Sequence, residues 1–299
     1  QNRGKEVPRQ FLGVLSRDRK PFRNGSGRLE LAQAIASKDN PLTARVMVNR
    51  VWMHHFGAGL VRTPGDFGTR SEPPAHPELL DYLASRFIEG GWSLKKLHRL
   101  ILLSSAYQQS SDEVPEYLKT DPENRLLWKW SRRRLDFEAM RDSLLFAAGR
   151  LDAKLGGPGV DITKEPYSTR RTVYGFVDRQ NLPGLFRTFD FANPDTSAPA
   201  RHATTVPQQA LFLMNSPFVS NLSRHLFLAG RAGAGEKANH RETIQRLYRR
   251  VFARAASEEE VTLGLDYVQK APESPGPSMS RGDCYAQTLL LSNEFCFVD

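Results

Sequence analysis

Two carboxylates stand four residues apart in a segment rich in arginine. Glu138 and Asp142 are the carboxylates, and Arg134 and Arg141 flank them. Residues four apart lie on the same face of a helix, so the two side chains would be neighbours on the helix that we predict over 135–148. Pairs of carboxyl groups separated by roughly 5 to 9 Å perform the acid and base steps of glycoside hydrolysis. The spacing is therefore compatible with a carbohydrate-active enzyme that uses Glu138 and Asp142.

The same segment has a structural interpretation, which we favour over catalysis. Arginines beside carboxylates form ion pairs, and a second predicted helix carries Arg45 and Asn49 four residues apart in an otherwise apolar sequence. Buried polar groups need partners, and the carboxylates of the first helix are our choice for them. We predict one buried polar network that joins the two helices and contains Arg45, Asn49, Arg134, Glu138, Arg141 and Asp142.

Other arrangements that could carry chemistry are weaker. His54 and His55 are adjacent, so on a helix their side chains point roughly 100° apart and cannot easily share a metal. A metal site built from His55, Asp66 and His76 is conceivable, but packing and capping explain these residues better. No HExxH, GxSxG, phosphate-loop or CxxCH motif occurs. Apart from the carboxylate alternative, we predict no catalytic residue, no metal and no cofactor in this chain.

The stretch from Arg170 to His202 combines arginines with aromatic residues. Guanidinium groups pair bidentately with carboxylates and sulfates, and aromatic rings stack on the apolar faces of sugars. This composition favours a surface for an anionic polysaccharide, formed by Arg170, Arg171, Arg179, Arg187 and Arg201. In the alternative, which we weigh slightly higher, pairs such as Arg171 with Asp178 and Arg187 with Asp190 anchor a long loop.

The composition is that of a globular protein. The 299 residues include 39% hydrophobic residues and carry a net charge of +9. Such a charge favours polyanions, but the basic residues are scattered and the longest run is Arg132–Arg134, so we predict no nucleic-acid partner. The apolar runs Leu100–Leu103 and Ala210–Met214 are far shorter than the roughly 18 residues that a membrane span needs. The two cysteines, Cys284 and Cys296, are either two buried thiols or one disulfide.

Apolar residues recur at spacings of three and four along most of the chain, which predicts a mainly α fold. Helices are predicted to begin at Arg28, Pro41 and Pro77, and Ser93 is the predicted N-cap of the next helix. Further helices begin at Pro207. We therefore expect an irregular multi-helix array with a long irregular segment and at most a small β element.

Two local patterns refine this expectation. The run over 171–178 is the only convincing strand, and we place its partner near 159–163. Ser257 followed three residues later by Glu260 is a capping-box pattern, which marks the start of a helix.

The same patterns divide the chain into segments. Residues 1–27 are predicted to form an extended arm leading from an upstream domain, and residues 156–205 an irregular segment with possible short strands. Residues 28–155 and 206–299 are the predicted helical subdomains, and we expect 28–299 to form one compact unit. The chain does not begin with Met, and we expect that an upstream part has been removed.

Several long segments resemble one protein family. They include NPLTARVMVNRVWMHHFGAGLVRTPGDFG at 40–68, GWSLKKLHRLILLSSAYQQS at 91–110, RRTVYGFVDRQNLPGLFRTFDFANPD at 170–195 and LLLSNEFCFVD at 289–299. These segments are similar to the C-terminal domain of unknown function 1553 in planctomycete-type cytochrome-c-domain proteins, and the likeness spans nearly the whole chain. The resemblance implies an exported, extracytoplasmic protein, periplasmic or at the cell surface, with a haem c domain upstream. It supplies no catalytic residue.

Two functions are compatible with these observations. The chain is either a non-catalytic assembly or ligand-binding module or a carbohydrate-active enzyme, and we favour the module. Its expected partners are the upstream domains of the same polypeptide and an anionic polysaccharide. The position of Glu138 and Asp142, in an open cleft or inside a polar network, is the observation that separates the two hypotheses.

Overall fold

The computed structural model describes most of the chain, namely residues 4–5, 7–16, 20–201, 203–232, 239–270 and 279–298. It is mainly helical, as predicted. The chain forms two compact units, Gln1–Ser131 and Arg132–Asp299, so residues 132–155 belong to the second unit. None of the described helices is both long and apolar enough to cross a membrane.

The helices of the first unit are α1 (Arg28–Ile35), α2 (Thr43–Phe56), α3 (Pro77–Glu89), α4 (Leu94–Leu102) and α5 (Pro115–Thr120). α2 is central to the core of this unit, because its Val48, Trp52 and Phe56 recur every four residues on one side of the helix and are buried. α3 packs against α2 through Leu80, Leu83, Ala84 and Phe87. In the described part of the arm, the backbone N–H of Phe22 donates to the carbonyl of Arg9, which turns the chain back on itself.

The second unit contains α6 (Phe137–Ala147), α7 (Gly184–Thr188), α8 (Pro207–Asn215), α9 (Pro217–Arg231), α10 (His240–Phe252), α11 (Glu258–Lys270), α12 (Arg281–Leu291) and α13 (Asn293–Cys296). α9 and α12 can approach closely because Gly282 has no side chain: a Cβ there would lie 2.0 Å from Cζ of Phe227. The two cysteines are thiols and form no disulfide with each other, and burial raises the pKa of Cys296.

The β structure differs from the prediction in position. The predicted strand contains a 3₁₀ turn at Thr172–Tyr174 instead. Its expected partner is correct, since Val160 donates to the carbonyl of Tyr174 and accepts from the N–H of Phe176, at 2.9 and 2.8 Å. The small sheet pairs β1 (Arg133–Arg134) antiparallel with β2 (Phe297–Val298). Two strands that are so short and so far apart in sequence have no alternating pattern from which they could be predicted.

Several helix starts agree with the sequence. α3 and α8 begin at Pro77 and Pro207, and the hydroxyl of Ser93 caps α4. The capping box at the start of α11 is confirmed, because the N–H of Ser257 donates to Glu260 at 2.8 Å and the N–H of Glu260 donates to the Ser257 hydroxyl at 3.2 Å.

α2 begins at Thr43 rather than at Pro41. The side chain of Asn40 explains the delay, because its Oδ1 accepts from the N–H of Leu42 and its Nδ2 donates to the carbonyl of Ile35, both at 3.0 Å. These bonds hold the α1–α2 connection in a turn and place Pro41 before the helix.

An arginine connects three elements at the far end of the second unit. Arg254 follows α10 and donates to both oxygens of Glu260 on α11, at 2.8 and 2.7 Å. It also donates to both oxygens of Glu294 on α13, at 2.6 and 2.8 Å. The hydrogen bonds from Arg254 lower the pKa of Glu260 to about 2, because they stabilise the carboxylate.

Candidate functional site

α6 carries the residues that the sequence singled out most strongly. Its start is set by Asp136, whose carboxylate accepts the N–H of Ala139 at 2.8 Å. From this helix Glu138, Arg141 and Asp142 all reach the irregular segment that follows. They therefore belong to one arrangement of side chains, although each has its own partners.

Arg141 is almost completely buried, with 2% of its surface exposed. Its guanidinium donates to the carbonyls of Ser168 and Arg170 and to the hydroxyl of Thr172, the last two at 2.9 and 3.2 Å. Burial lowers the pKa of Arg141 to about 10, which still leaves the side chain protonated at neutral pH. The cation lies over the ring of Phe218 at 5.2 Å. Arg141 thus fixes the backbone over 168–172.

Asp142 holds the same backbone from the other side. Its Oδ1 accepts hydrogen bonds from both the N–H and the hydroxyl of Thr172, each at 2.7 Å. Its Oδ2 lies 3.6 Å from Nε of Arg171, and its Oδ1 lies 3.9 Å from Nη1 of Arg141. Thr172 therefore receives from Arg141 and donates to Asp142, which links the two α6 side chains through one hydroxyl.

Glu138 binds the end of the irregular segment. Both of its oxygens accept from Arg201, at 2.8 Å each, in a bidentate pair. Arg201 also lies 4.8 Å above the ring of Phe191, and Glu138 raises the pKa of its guanidinium. The two carboxylates proposed for catalysis are thus engaged in holding the chain over 171–201.

Arg45 and Asn49 have partners other than those predicted. Arg45 donates from Nε to Asp81 at 2.6 Å, and its side chain is one-third exposed. Asn49 is fully buried and exchanges two hydrogen bonds with the backbone of Val61, at 3.0 and 2.9 Å. In place of the single predicted network, the structure satisfies these two residues inside the first unit and Glu138 and Asp142 inside the second. The polar ends of Arg45 and Asn49 do have partners, but these partners are groups of the first unit.

Arg134 has a third set of contacts. It leaves β1 to donate to Oε1 of Gln209, whose amide nitrogen in turn donates to the carbonyl of Thr188 at 2.8 Å. Gln209 is 2% exposed, so this is a buried polar link between β1, α7 and α8. The sequence analysis placed Arg134 in one network with Glu138 and Asp142, but Arg134 donates to Gln209 instead.

The arginines of the stretch 170–201 have mostly intramolecular partners. Arg170 donates to the carbonyls of Pro158 and Gly156 and lies 4.1 Å over the ring of Tyr174. Arg179 lies 3.5 Å from Asp195, and both side chains are mostly exposed.

The predicted anchoring pairs are replaced by others. Asp190 accepts from the N–H and hydroxyl of Thr204 rather than from Arg187. Asp178 accepts the N–H of Gln180 at 2.9 Å, a local turn contact. Arg187 is exposed. Anchoring of the long segment is real, but its partners are carbonyls, hydroxyls and the carboxylates of α6 rather than the predicted pairs.

The histidines considered for a metal lie apart. His55 Nε2 and His98 Nδ1 form a hydrogen bond of 2.7 Å, whereas His76 Nε2 lies 3.0 Å from the carbonyl of Arg125. Asp66 accepts the N–H of Gly68. Among the described residues, no group of three or more His, Cys, Asp or Glu side chains is placed to hold a metal ion.

A groove in the second unit is a candidate binding site. It has a volume of about 890 Å³ and lies between the segment 165–169 and the first half of α9. We call it the Arg150 groove. Its polar lining residues are Arg150, Glu165, Tyr167, Thr169, Asn215, Ser220, Asn221 and Arg224, and its apolar ones are Leu145, Pro166, Pro217, Phe218 and Leu222.

The charges of the Arg150 groove are mainly positive. Arg150 is exposed and Arg224 is half-buried, whereas Glu165 is the only carboxylate among the described residues that line the groove. Burial is the larger cause that lowers the pKa of the nearby His225, and the positive charge of Arg150 lowers it further. Burial is likewise the larger cause that raises the pKa of Tyr167, and the negative charge of Glu165 raises it further. The phenol and the imidazole are therefore both kept in their neutral forms at neutral pH.

Side chains of α6 contact the residues that form this groove. Arg141 holds the carbonyl of Ser168, next to the lining residues Tyr167 and Thr169, and its cation packs on Phe218 in the groove wall. The sequence analysis missed the groove, because its two walls are about 50 residues apart in sequence and neither carries a motif. The charged residues Arg141 and Asp142 in a largely apolar helix were the nearest sequence signal.

The chain belongs to a family without an assigned activity. The family model for PSD1, a protein of unknown function (DUF1553), matches residues 27–268 and thus covers most of the chain. No curated protein and no solved structure matches this chain. The family agrees with the resemblance carried by the sequence motifs.

Proposed function

We propose that this chain is a non-catalytic ligand-binding module and that the Arg150 groove takes an acidic oligosaccharide. The observation that carries the proposal is the presence, in one open groove, of the exposed guanidinium of Arg150 and the ring of Tyr167. A guanidinium pairs with a carboxylate or sulfate through two parallel hydrogen bonds. An aromatic ring offers a flat apolar surface to a sugar face. The volume of about 890 Å³ is in the range of ordinary ligand sites.

The remaining polar side chains suit a hydroxylated ligand. Asn215 and Asn221 are exposed at the groove, and Ser220 is half-buried between them in sequence. Amides both donate and accept hydrogen bonds, so they can satisfy sugar hydroxyls in either direction. Such groups orient a ligand, while the positive charge of the groove favours a ligand of negative charge.

Hydrolysis has less support than binding. The glycosidase alternative needs two carboxyl groups on opposite sides of one bond. Both oxygens of Glu138 accept hydrogen bonds from Arg201, and Asp142 accepts two hydrogen bonds from Thr172. Among the described residues that line the groove, Glu165 is the single carboxylate. A module that holds a glycan without cleaving it is the better account of these positions.

We further infer, from the family resemblance alone, that the chain works outside the cytoplasm as the C-terminal part of a longer polypeptide with a haem c domain upstream. The upstream domains are then its natural partners for assembly. Fractionation of cells that express the full-length polypeptide, with a haem stain of the same band, tests both points. A cytoplasmic, haem-free polypeptide would refute them.

The binding proposal is tested with oligogalacturonate and a neutral oligosaccharide of equal length, using calorimetric titration at several salt concentrations. We expect the acidic ligand to bind more tightly and its affinity to fall with salt, since exposed ion pairs are screened. Arg150→Gln should weaken that binding about tenfold or more. Arg187→Gln is the matched control, because Arg187 is an exposed arginine of the same unit that does not line the groove.

Each outcome is decisive for one hypothesis. Equal affinity for the two oligosaccharides, or equal affinities of the two variants, would reject the Arg150 groove. Weaker binding by Arg187→Gln alone would instead support the arginine surface predicted over 170–201. Release of new reducing ends during incubation would show that the chain is an enzyme.

A further inference from the structure

A small cavity lies in the second unit, separate from the Arg150 groove but sharing Tyr167 and Phe218 with it. Its volume is about 50 Å³, which exceeds the roughly 15 Å³ that one water needs. Most of its wall is apolar: Phe137, Met140 and Leu144 come from α6, and the other apolar residues are Ile162, Leu185, Phe212 and Phe218. The polar residues in the wall are Arg141, Thr163, Tyr167 and Ser216.

Arg141 brings an incompletely neutralised positive charge to this cavity. Its acceptors among the described residues are two neutral carbonyls and one hydroxyl, and the carboxylate of Asp142 lies 3.9 Å away. Its Nε–H is buried and has no acceptor among the described residues. Buried polar groups are nearly always paired, and a buried cation is costly without an anionic partner.

The N-terminus of α9 adds a second positive feature at the same cavity. Ser216 is the N-cap and lines the cavity, yet its side chain does not cap the helix. Pro217 has no N–H, and Phe218, the next residue, also lines the cavity. The first N–H groups of a helix lack acceptors and carry the positive end of the helix dipole. With fifteen residues, α9 is long enough for this field to matter.

We infer that the cavity binds a small monovalent anion of the chloride class between Arg141 and the start of α9. A water molecule would satisfy the orphan Nε–H but would bring no negative charge to the two positive features. Among the described residues, the counter-charge of Arg141 is the Asp142 carboxylate, 3.9 Å away. A halide is only slightly larger than water, and it accepts hydrogen bonds from a guanidinium, a hydroxyl and backbone N–H groups alike. The apolar remainder of the wall excludes hydrated or larger anions. This site does not depend on the ligand of the Arg150 groove.

The test is the melting temperature of the whole chain in sodium chloride and sodium bromide against sodium gluconate at equal ionic strength. An anion that binds only the folded state stabilises it by mass action, so Tm should rise by a few degrees for each tenfold increase in chloride above its dissociation constant. Gluconate is too bulky for the cavity and should give no such rise. Crystals grown in bromide should show one anomalous peak beside Nε of Arg141.

Variants separate this site from general salt effects. Arg141→Met should abolish the difference between chloride and gluconate, and Ser216→Ala should weaken the chloride response several-fold. Ser216→Ala removes no helix cap, so it remains informative if Arg141→Met fails to fold. Arg187→Met, which removes an exposed arginine, should behave as the unmodified chain. Identical Tm values in chloride and gluconate, or an empty cavity in bromide crystals, would overturn the inference and leave water as the occupant.

Discussion

Both carboxylate oxygens of Glu138 accept hydrogen bonds from the guanidinium of Arg201, across 63 residues of sequence. The pair closes the long irregular segment that begins at Arg170, where Arg141 and Asp142 hold the other end. One helical face therefore anchors both ends of a segment with little regular structure of its own. The spacing that made Glu138 and Asp142 look catalytic is explained by this anchoring.

Glu138→Gln should destabilise the second unit by about 1 kcal/mol, because the variant loses a bidentate, partly buried ion pair. Urea denaturation would measure the difference. Glu259→Gln is the matched control, since Glu259 is an exposed carboxylate of the same unit. Equal stability of the two variants would show that the pair with Arg201 contributes nothing.

Asn49→Ala should cost more stability than Arg45→Ala. Asn49 is fully buried, and its loss leaves the N–H and carbonyl of the buried Val61 without partners, at a cost of about 1 to 3 kcal/mol each. The Arg45–Asp81 pair is partly exposed, and such pairs contribute about 1 kcal/mol or less. Thermal unfolding of the two variants gives the order. The reverse order would restore the idea that Arg45 belongs to a buried network.

Gly282→Ala should destabilise the second unit sharply, by about 3 kcal/mol or more, because the new methyl group would overlap the ring of Phe227 between α9 and α12. Gly184→Ala is the control: a Cβ there meets no atom within 4 Å. The free energies of unfolding of the two variants should differ clearly. A tolerated Gly282→Ala would mean that the two helices can separate without loss.

Acid should weaken the contact around Arg254. The pKa of Glu260 is about 2 in the folded chain, below its ordinary value of 4.5. A folded-state pKa below the unfolded one means that the stabilisation is complete above about pH 4.5 and is lost as the pH falls toward 2. Glu260→Gln should therefore flatten the pH dependence of the free energy of unfolding in this window. If the profiles of Glu260→Gln and the unmodified chain stay parallel there, the ion pair does not stabilise the fold.

Much of the helical framework follows from local chemistry. Pro77, Ser93 and Pro207 act at helix starts as their residue types demand, and Ser257 with Glu260 forms the expected capping box. These signals depend on neighbours within one turn, so they survive in any tertiary context. The family is likewise readable from the sequence, because its motifs are long and continuous.

The partners of polar side chains were decided by the tertiary structure. Asn49 binds the backbone of Val61 and Arg141 binds that of Ser168, and a carbonyl acceptor leaves no trace in the residue type that carries it. The run over 171–178 has strand-forming residues, but the N–H of Thr172 donates to Asp142 and Thr172–Tyr174 forms a 3₁₀ turn. The Arg150 groove and the cavity beside Arg141 exist only where distant segments meet. The sequence by itself thus determined the helices and the family, whereas the sites depend on contacts that only the folded chain creates.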